Sequence, residues 1–224
     1  AAVNEDVPWV RIWTHGFKGP GGWYIENSLT TIGKDDPVSK ANTALWNSGI
    51  DSDKNIARER RRKLNYYSNI YVVEDAANPQ NEGKVFLFRY GKKIFEKITG
   101  VMNPEFKDET PLNPFDLWEG ANFKMKMRQV DGFPNYDKSV FTESCPLNGD
   151  EKKLEEVWNQ QYSLNEVIEE KNFKNYAELE ARFNTVIANE GKDFSSTIEE
   201  SVGEESNEKT DDTLDYFKKL AEQD

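Results

Sequence analysis

Trp9-Val10-Arg11-Ile12-Trp13, then Gly19-Pro20-Gly21-Gly22, then Trp23-Tyr24-Ile25: two β-rich runs flank a turn of glycine and proline, the composition of a hairpin. Working outward, Asn69-Ile70-Tyr71-Val72-Val73 and Lys84-Val85-Phe86-Leu87-Phe88-Arg89-Tyr90 are two more β-rich runs, with Asn81-Glu82-Gly83 marking a turn between them. Phe123 to Val130 alternates apolar and basic residues, so an extended chain there has two unlike faces. Residues 9–146 therefore read as mostly strand with irregular loops. Two interruptions stand out. Residues 28–55 are polar and turn-rich with little periodicity, which predicts a loop-built side lobe. Gly91 to Gly100, with Ile94, Phe95 and Ile98, fits one short helix between strands.

The period changes at residue 150. Leu154, Val157, Trp158 and Gln161 fall on one helical face, with Asp150 placed as the N-terminal cap. Tyr176, Leu179, Phe183, Val186 and Ile187 form a second stripe. Both stripes are read as core contacts rather than ligand sites, the usual role of an amphipathic face. Beyond about Gly191 apolar residues are few and Ser, Glu, Asp and Thr dominate, the composition of a disordered segment. Leu214, Tyr216, Phe217 and Leu220 make a short apolar island suited to folding on a partner.

The 224 residues carry a net charge of −12, nearly all of it in residues 151–224, so the body is close to neutral and local charge has to decide its chemistry. The one cysteine, Cys145, excludes an internal disulfide and a cysteine-based metal site, and it suits a reducing cytoplasm. No run approaches the roughly 18 apolar residues of a membrane span, and no signal peptide opens the chain. An enzyme of the nuclease or phosphoryl-transfer kind needs clustered carboxylates, an activated nucleophile or a phosphate loop. The Gly19–Gly22 run lacks a following Lys-Ser/Thr, Asp35-Asp36 stands alone, and His15 is the sole apparent general base.

The densest chemical feature is Lys54 to Lys63, with Lys54, Arg58, Arg60, Arg61, Arg62 and Lys63 against the single acid Glu59, followed at once by Tyr66 and Tyr67. Fixed positive charge releases counterions from phosphates, and flat rings accept unstacked bases, each stack contributing roughly 1–3 kcal/mol. Two readings fit: a nucleic-acid-binding surface, or a charged surface segment beside core tyrosines. Lys124, Lys126 and Arg128 share one face of the segment around residues 123–130 if it is extended, and Lys92 with Lys93 adds a third basic patch. Such elements line one groove in an OB-type barrel, but periodicity does not show that they converge.

Three groups of strings in this chain resemble the T-even-like bacteriophage single-stranded DNA-binding (helix-destabilising) proteins. They are His15-Gly16-Phe17-Lys18 with Gly22-Trp23-Tyr24-Ile25-Glu26; Asn81 to Phe86 with Gly91-Lys92-Lys93-Ile94; and Trp118 to Phe123 with Gln129-Val130, Gly132-Phe133 and Asn135-Tyr136-Asp137. The resemblance implies an α+β, mainly β fold. Its core would be a five-stranded OB-fold barrel, with a small loop-rich side lobe at about 28–55 and C-terminal helices at about 150–190. Residues 1–190 would then form a single-stranded DNA-binding core and 191–224 an acidic partner-binding tail. It places the stacking aromatics on Trp46, Tyr66, Tyr67, Phe88, Phe133 and Tyr136, and the basic cleft on Arg61, Arg62 and Lys63. For Phe88 and Phe133 a buried core ring is the competing reading, since phenylalanine is often interior. Tyr66 and Tyr136 sit beside polar residues and are favoured as exposed.

The resemblance further implies no catalysis, action in the cytoplasm of an infected bacterial host, and a tail that recruits replication and recombination proteins. The tail's acids would also compete with DNA for the basic cleft; a merely solubilising tail is the other reading. The family's zinc site of one histidine and three cysteines falls here on His15, Ser28, Asp36 and Ser39. Serine is a poor zinc ligand, so no cofactor is expected and His15 is read as a structural remnant. The family's basic amino-terminal arm, which drives cooperative binding, has no counterpart before Ala1, so self-association is expected to be weakened.

Overall fold

A computed structural model describes residues 7–188. Four antiparallel strands form a curled sheet in the order β2-β1-β3-β4, half of a barrel. They are β1 (Val10–Gly19), β2 (Gly22–Asn27), β3 (Lys63–Tyr71) and β4 (Val85–Tyr90). The Gly19–Gly22 turn closes the β1–β2 hairpin as its composition predicts, with Gly19 opposite Gly22 and Phe17 opposite Tyr24. β3 starts at Lys63, six residues before the β-rich run legible in the sequence. The last residue of the basic cluster is therefore the first of a strand.

The side lobe differs from expectation. It is helical rather than loop-built: a 3-10 turn at Leu29–Ile32, then α1 (Pro37–Asn47) and α2 (Asp51–Glu59). Local chemistry explains both helices. Asp36 caps α1 by accepting from the Ser39 N–H, and Pro37 occupies the first turn, where its missing N–H costs nothing. In α2, Asp51 and Asp53 sit at the positive end of the helix dipole and Arg58 at the negative end. α2 buries only Ala57, so its polar sequence carries little hydrophobic periodicity to read.

The short helix expected after β4 is present as α3 (Lys92–Met102), burying Ile94 and Ile98. Phe123 to Val130 is not one strand. It divides into β5 (Phe123–Lys124), paired with β8 (Val140–Phe141), and β6 (Arg128–Val130), paired with β7 (Phe133–Asn135). Asp131 and Gly132, both at positive φ (50° and 79°), make the tight turn between β6 and β7.

The helical region begins with α4 (Glu151–Asn159), capped by Asp150 as expected, and continues through α5 (Leu164–Val167) to α6 (Tyr176–Ile187). The α4 stripe is only partly a core contact, with Leu154 buried and Trp158 38% exposed. The α6 stripe is wholly one. Leu179, Phe183 and Val186 pack with Phe17, Tyr24, Leu29 and Val38, flanked by Tyr176 and Ile187. Burial of each such side chain contributes about 1.5–3 kcal/mol. Asn175 and Glu178 form a reciprocal capping box at the start of α6, and Glu26 of β2 pairs with Lys174 at 2.6 Å and Arg182 at 2.8 Å. A second cluster on β3, β4 and α3 holds Tyr66, Tyr90, Ile94 and Ile98. The acidic segment from 191 to 224 lies outside the described residues.

Candidate nucleic-acid interface

The basic cluster spans three kinds of backbone: the last turns of α2, a turn at Arg60 to Arg62, and the start of β3. Its members consequently point different ways. Arg60 is 6% exposed, with its guanidinium carbon 5.6 Å from the Phe17 ring centre and 5.7 Å from that of Phe183. The sequence placed Arg60 with the phosphate contacts; here it belongs to the core beneath α6. Arg61, Arg62 and Lys63 are exposed.

Arg58, Arg61 and Arg62 line a cavity of about 690 Å³ together with Trp46, Asn42 and Thr43 of α1. Arg58 lies over the Trp46 ring at 5.3 Å from its centroid, and Arg62 over Trp13 at 4.4 Å. Both guanidinium planes are thus held by indoles rather than left to sample rotamers freely. Trp46 is 49% exposed, leaving half its surface open to the cavity side and solvent.

Three residues beyond Arg62, Asn65 of β3 lines a second cavity of about 260 Å³ with Phe88, Arg89, Tyr90, Met125 and Tyr136. The separation is about 10 Å along an extended chain. The sheet register explains their make-up. Arg11, Tyr66 and Tyr90 sit opposite one another across β1, β3 and β4, as do Val10, Tyr67 and Arg89.

Tyr66 does not fit the role the sequence favoured for it. Its ring is 6% exposed, stacked 3.8 Å from Phe95 and 5.8 Å from Tyr90, so neither face is open to a base. Phe88 continues this row of near-parallel rings at 5.8 Å from Tyr90 and is half-buried at the second cavity's wall. Burial pushes the Tyr90 hydroxyl up to about 12, against the lowering effect of its 2.7 Å hydrogen bond with Ser68. Tyr67 and Tyr136 are half-buried, and Tyr136 lines the second cavity. Phe133, 74% exposed beside the β6–β7 turn, lines neither cavity.

The remaining lysines neighbour residues of the second cavity in sequence without lining it. Lys92 and Lys93 lie between Gly91 and Ile94, and Lys124 and Lys126 flank Met125; all four are exposed. The broken strand removes the single extended face expected for Lys124, Lys126 and Arg128. Arg128 is engaged by Asp137 in a bidentate pair, Nε–Oδ1 at 2.9 Å and Nη2–Oδ2 at 2.5 Å. Sequence reading assigned no role to Trp13, Asn65, Arg89 or Met125. Arg58 was visible as part of the basic run and Trp46 as an expected stacking aromatic, but not their pairing.

His15, Ser28, Asp36 and Ser39 converge. His15 Nε2 is 3.2 Å from Asp36 Oδ1 and 3.3 Å from Ser39 Oγ, and the Ser28 hydroxyl donates to Asp36 Oδ2 at 3.0 Å. The Asp36 carboxylate also accepts the N–H groups of Leu29 and Ser39. Burial would raise the Asp36 pKa, but hydrogen bonds from His15, Ser39 and Ser28 outweigh it and hold the group at about 2. These donors do not fit zinc. A structural site takes four thiolate or imidazole donors, and here two of the four are hydroxyls already bonded within the cluster.

Guanidinium groups held over indoles, beside a row of aromatic rings on a curled antiparallel sheet, are the ingredients of surfaces that bind unpaired nucleic acid. Comparison with known proteins points the same way. Residues 1–187 match the family described as gp32 DNA binding protein like, and the chain belongs to that family. Over 187 residues it is 38% identical to the single-stranded DNA-binding proteins of Enterobacteria phages T2 and T4, covering 82% of this chain and 62% of each relative. Among the described residues, no helix is long and apolar enough to cross a membrane.

Proposed function

We propose that this chain binds single-stranded DNA without sequence preference, along a path joining the two cavities. The observation that carries the reading is the pair of arginine–tryptophan stacks, Arg58 on Trp46 and Arg62 on Trp13, with Arg61 in the same cavity wall. Arg61, Arg62, Lys63 and Arg58 supply phosphate contacts. Trp46, Tyr67, Phe88 and Tyr136 supply ring surface, with Phe133 reaching the strand from its hairpin. Lys92, Lys93, Lys124 and Lys126 extend the positive path, joined by Arg89. Arg60 and Tyr66 act from beneath, by positioning their neighbours. The curled half-barrel sheet is read as part of an OB-type barrel, a fold that binds oligonucleotides across one face of its sheet.

The wider role is replication, recombination and repair of phage DNA in the host cytoplasm. The acidic tail then competes with DNA for the cleft and recruits partner proteins. The lobe around His15 works without zinc. Fluorescence titration with poly-dT at two salt concentrations tests the central claim. Quenching with an affinity that falls steeply as salt rises is expected. Salt-independent affinity, or preferential binding of a sugar or peptide through the same rings, would overturn it.

A further inference from the structure

Arg60 connects the hydrogen-bonded cluster of the side lobe to the basic turn. We infer that His15 is a positioning residue for the DNA site. Its Nδ1–H donates to the Arg60 carbonyl at 2.9 Å, which fixes the backbone from which Arg61 and Arg62 project. A carbonyl can only accept, so this interaction requires the proton on Nδ1. The other ring nitrogen faces Asp36 and Ser39, and Asp36 is tied to Ser28 and to the cap of α1. One imidazole therefore joins β1, the start of α1, which carries Trp46, and the turn carrying the arginines.

Three features support a positioning role over simple core filling. His15 is 1% exposed, yet both ring nitrogens have partners, so its orientation is determined by hydrogen bonds. The Arg60 guanidinium lies against the touching rings of Phe17 and Phe183, so residue 60 is anchored through both its carbonyl and its side chain. Finally, His15 lines the same cavity as Arg61, Arg62 and Trp46, so displacement of its ring moves the cavity wall directly. A cluster of hydroxyl, carboxylate and imidazole groups thus does without metal what a tetrahedral ion would do, namely cross-link three segments at one point.

This inference rests on the DNA-binding reading, and a pair of isosteric substitutions separates the two. His15→Asn keeps an N–H donor near the Nδ1 position, whereas His15→Gln keeps one near Nε2 and leaves the Arg60 carbonyl without its donor. For His15→Gln, poly-dT affinity is expected to fall about five- to tenfold. The slope of log affinity against log salt should become shallower by about 0.7 for each phosphate that the protein no longer neutralises. Hydrogen exchange across residues 58–63 should also quicken, with or without DNA. His15→Asn gives up the contacts to Asp36 and Ser39 but keeps the link to Arg60. It should lose less affinity than His15→Gln and keep the wild-type slope and exchange across residues 58–63, and added zinc or chelator should change none of these. Wild-type slope and exchange in His15→Gln, equal losses or unfolding in His15→Asn, or dependence on zinc would overturn the positioning role. Absence of salt-dependent binding by the wild-type chain would sink the DNA reading, while the exchange comparison would still decide the role of His15.

Discussion

The guanidinium of Arg62 lies over the ring of Trp13, 4.4 Å from its centroid. Trp13 is opposite Leu64 in the β1–β3 pairing, so the stack ties the turn before β3 to the neighbouring strand and aims a fixed charge at the first cavity. Arg62→Ala should make the salt slope of poly-dT binding shallower by about 0.7. Arg62→Lys should keep the slope but lose about 0.5–1 kcal/mol of affinity, because an ammonium does not reproduce the flat stack. An unchanged slope in Arg62→Ala would remove this residue from the phosphate path.

Tyr66 and Phe133 separate packing from binding. Truncating the buried, doubly stacked Tyr66 to alanine should cost about 3–5 kcal/mol of stability, measured by denaturant unfolding. Phe133→Ala should leave stability unchanged and weaken DNA binding by about 1–3 kcal/mol. A destabilised Phe133→Ala would mean its ring packs on the protein rather than on DNA.

Gly21 marks the close approach of the β1–β2 hairpin to the end of α6. Its N–H donates to the Val186 carbonyl at 2.8 Å, and a Cβ there would lie 2.1 Å from the Thr185 carbonyl oxygen. Because that obstacle is backbone, Gly21→Ala must push α6 away from the hairpin. A stability loss of about 1–3 kcal/mol is expected, with faster hydrogen exchange in α6. Wild-type exchange in that helix would show the approach to be looser.

Asp36 should make the lobe acid-sensitive. Burial acts to raise its pKa, but the hydrogen bonds it accepts outweigh burial and lower it from 3.8 to about 2 in the fold. The resulting stability, about 2 kcal/mol, is complete above pH 4 and is lost as pH falls through 2. The melting-temperature difference between wild type and Asp36→Asn should therefore narrow from pH 6 to pH 2. A constant difference would show that Asp36 is not the titrating group.

Much of the local structure was legible because its causes are local. The Gly19–Gly22 turn, the Asp150 cap and the α6 stripe each act within a few residues of sequence, and each appears where its chemistry places it. The Asp36-Pro37 helix start was equally present in the sequence. It was obscured because α2 buries only Ala57 and the stripe of α1, Val38, Ala41 and Leu45, is short and set among polar residues, so the period that reveals most helices was faint.

The sequence by itself determined the hairpin, the capped helices and the concentration of arginines between 58 and 62. Only the tertiary structure decided which arginine turned inward and which tyrosine became core. Arg60 is buried because Phe183, more than a hundred residues later, packs edge-to-face on Phe17 and the two touching rings together cover its guanidinium. Tyr66 is buried because the strand register sets it beside Tyr90, while α3 brings Phe95 onto its other face. Adjacent residues of like chemistry are nearly interchangeable to any local signal. Their fates diverge through burial, which depends on what the rest of the chain packs against them.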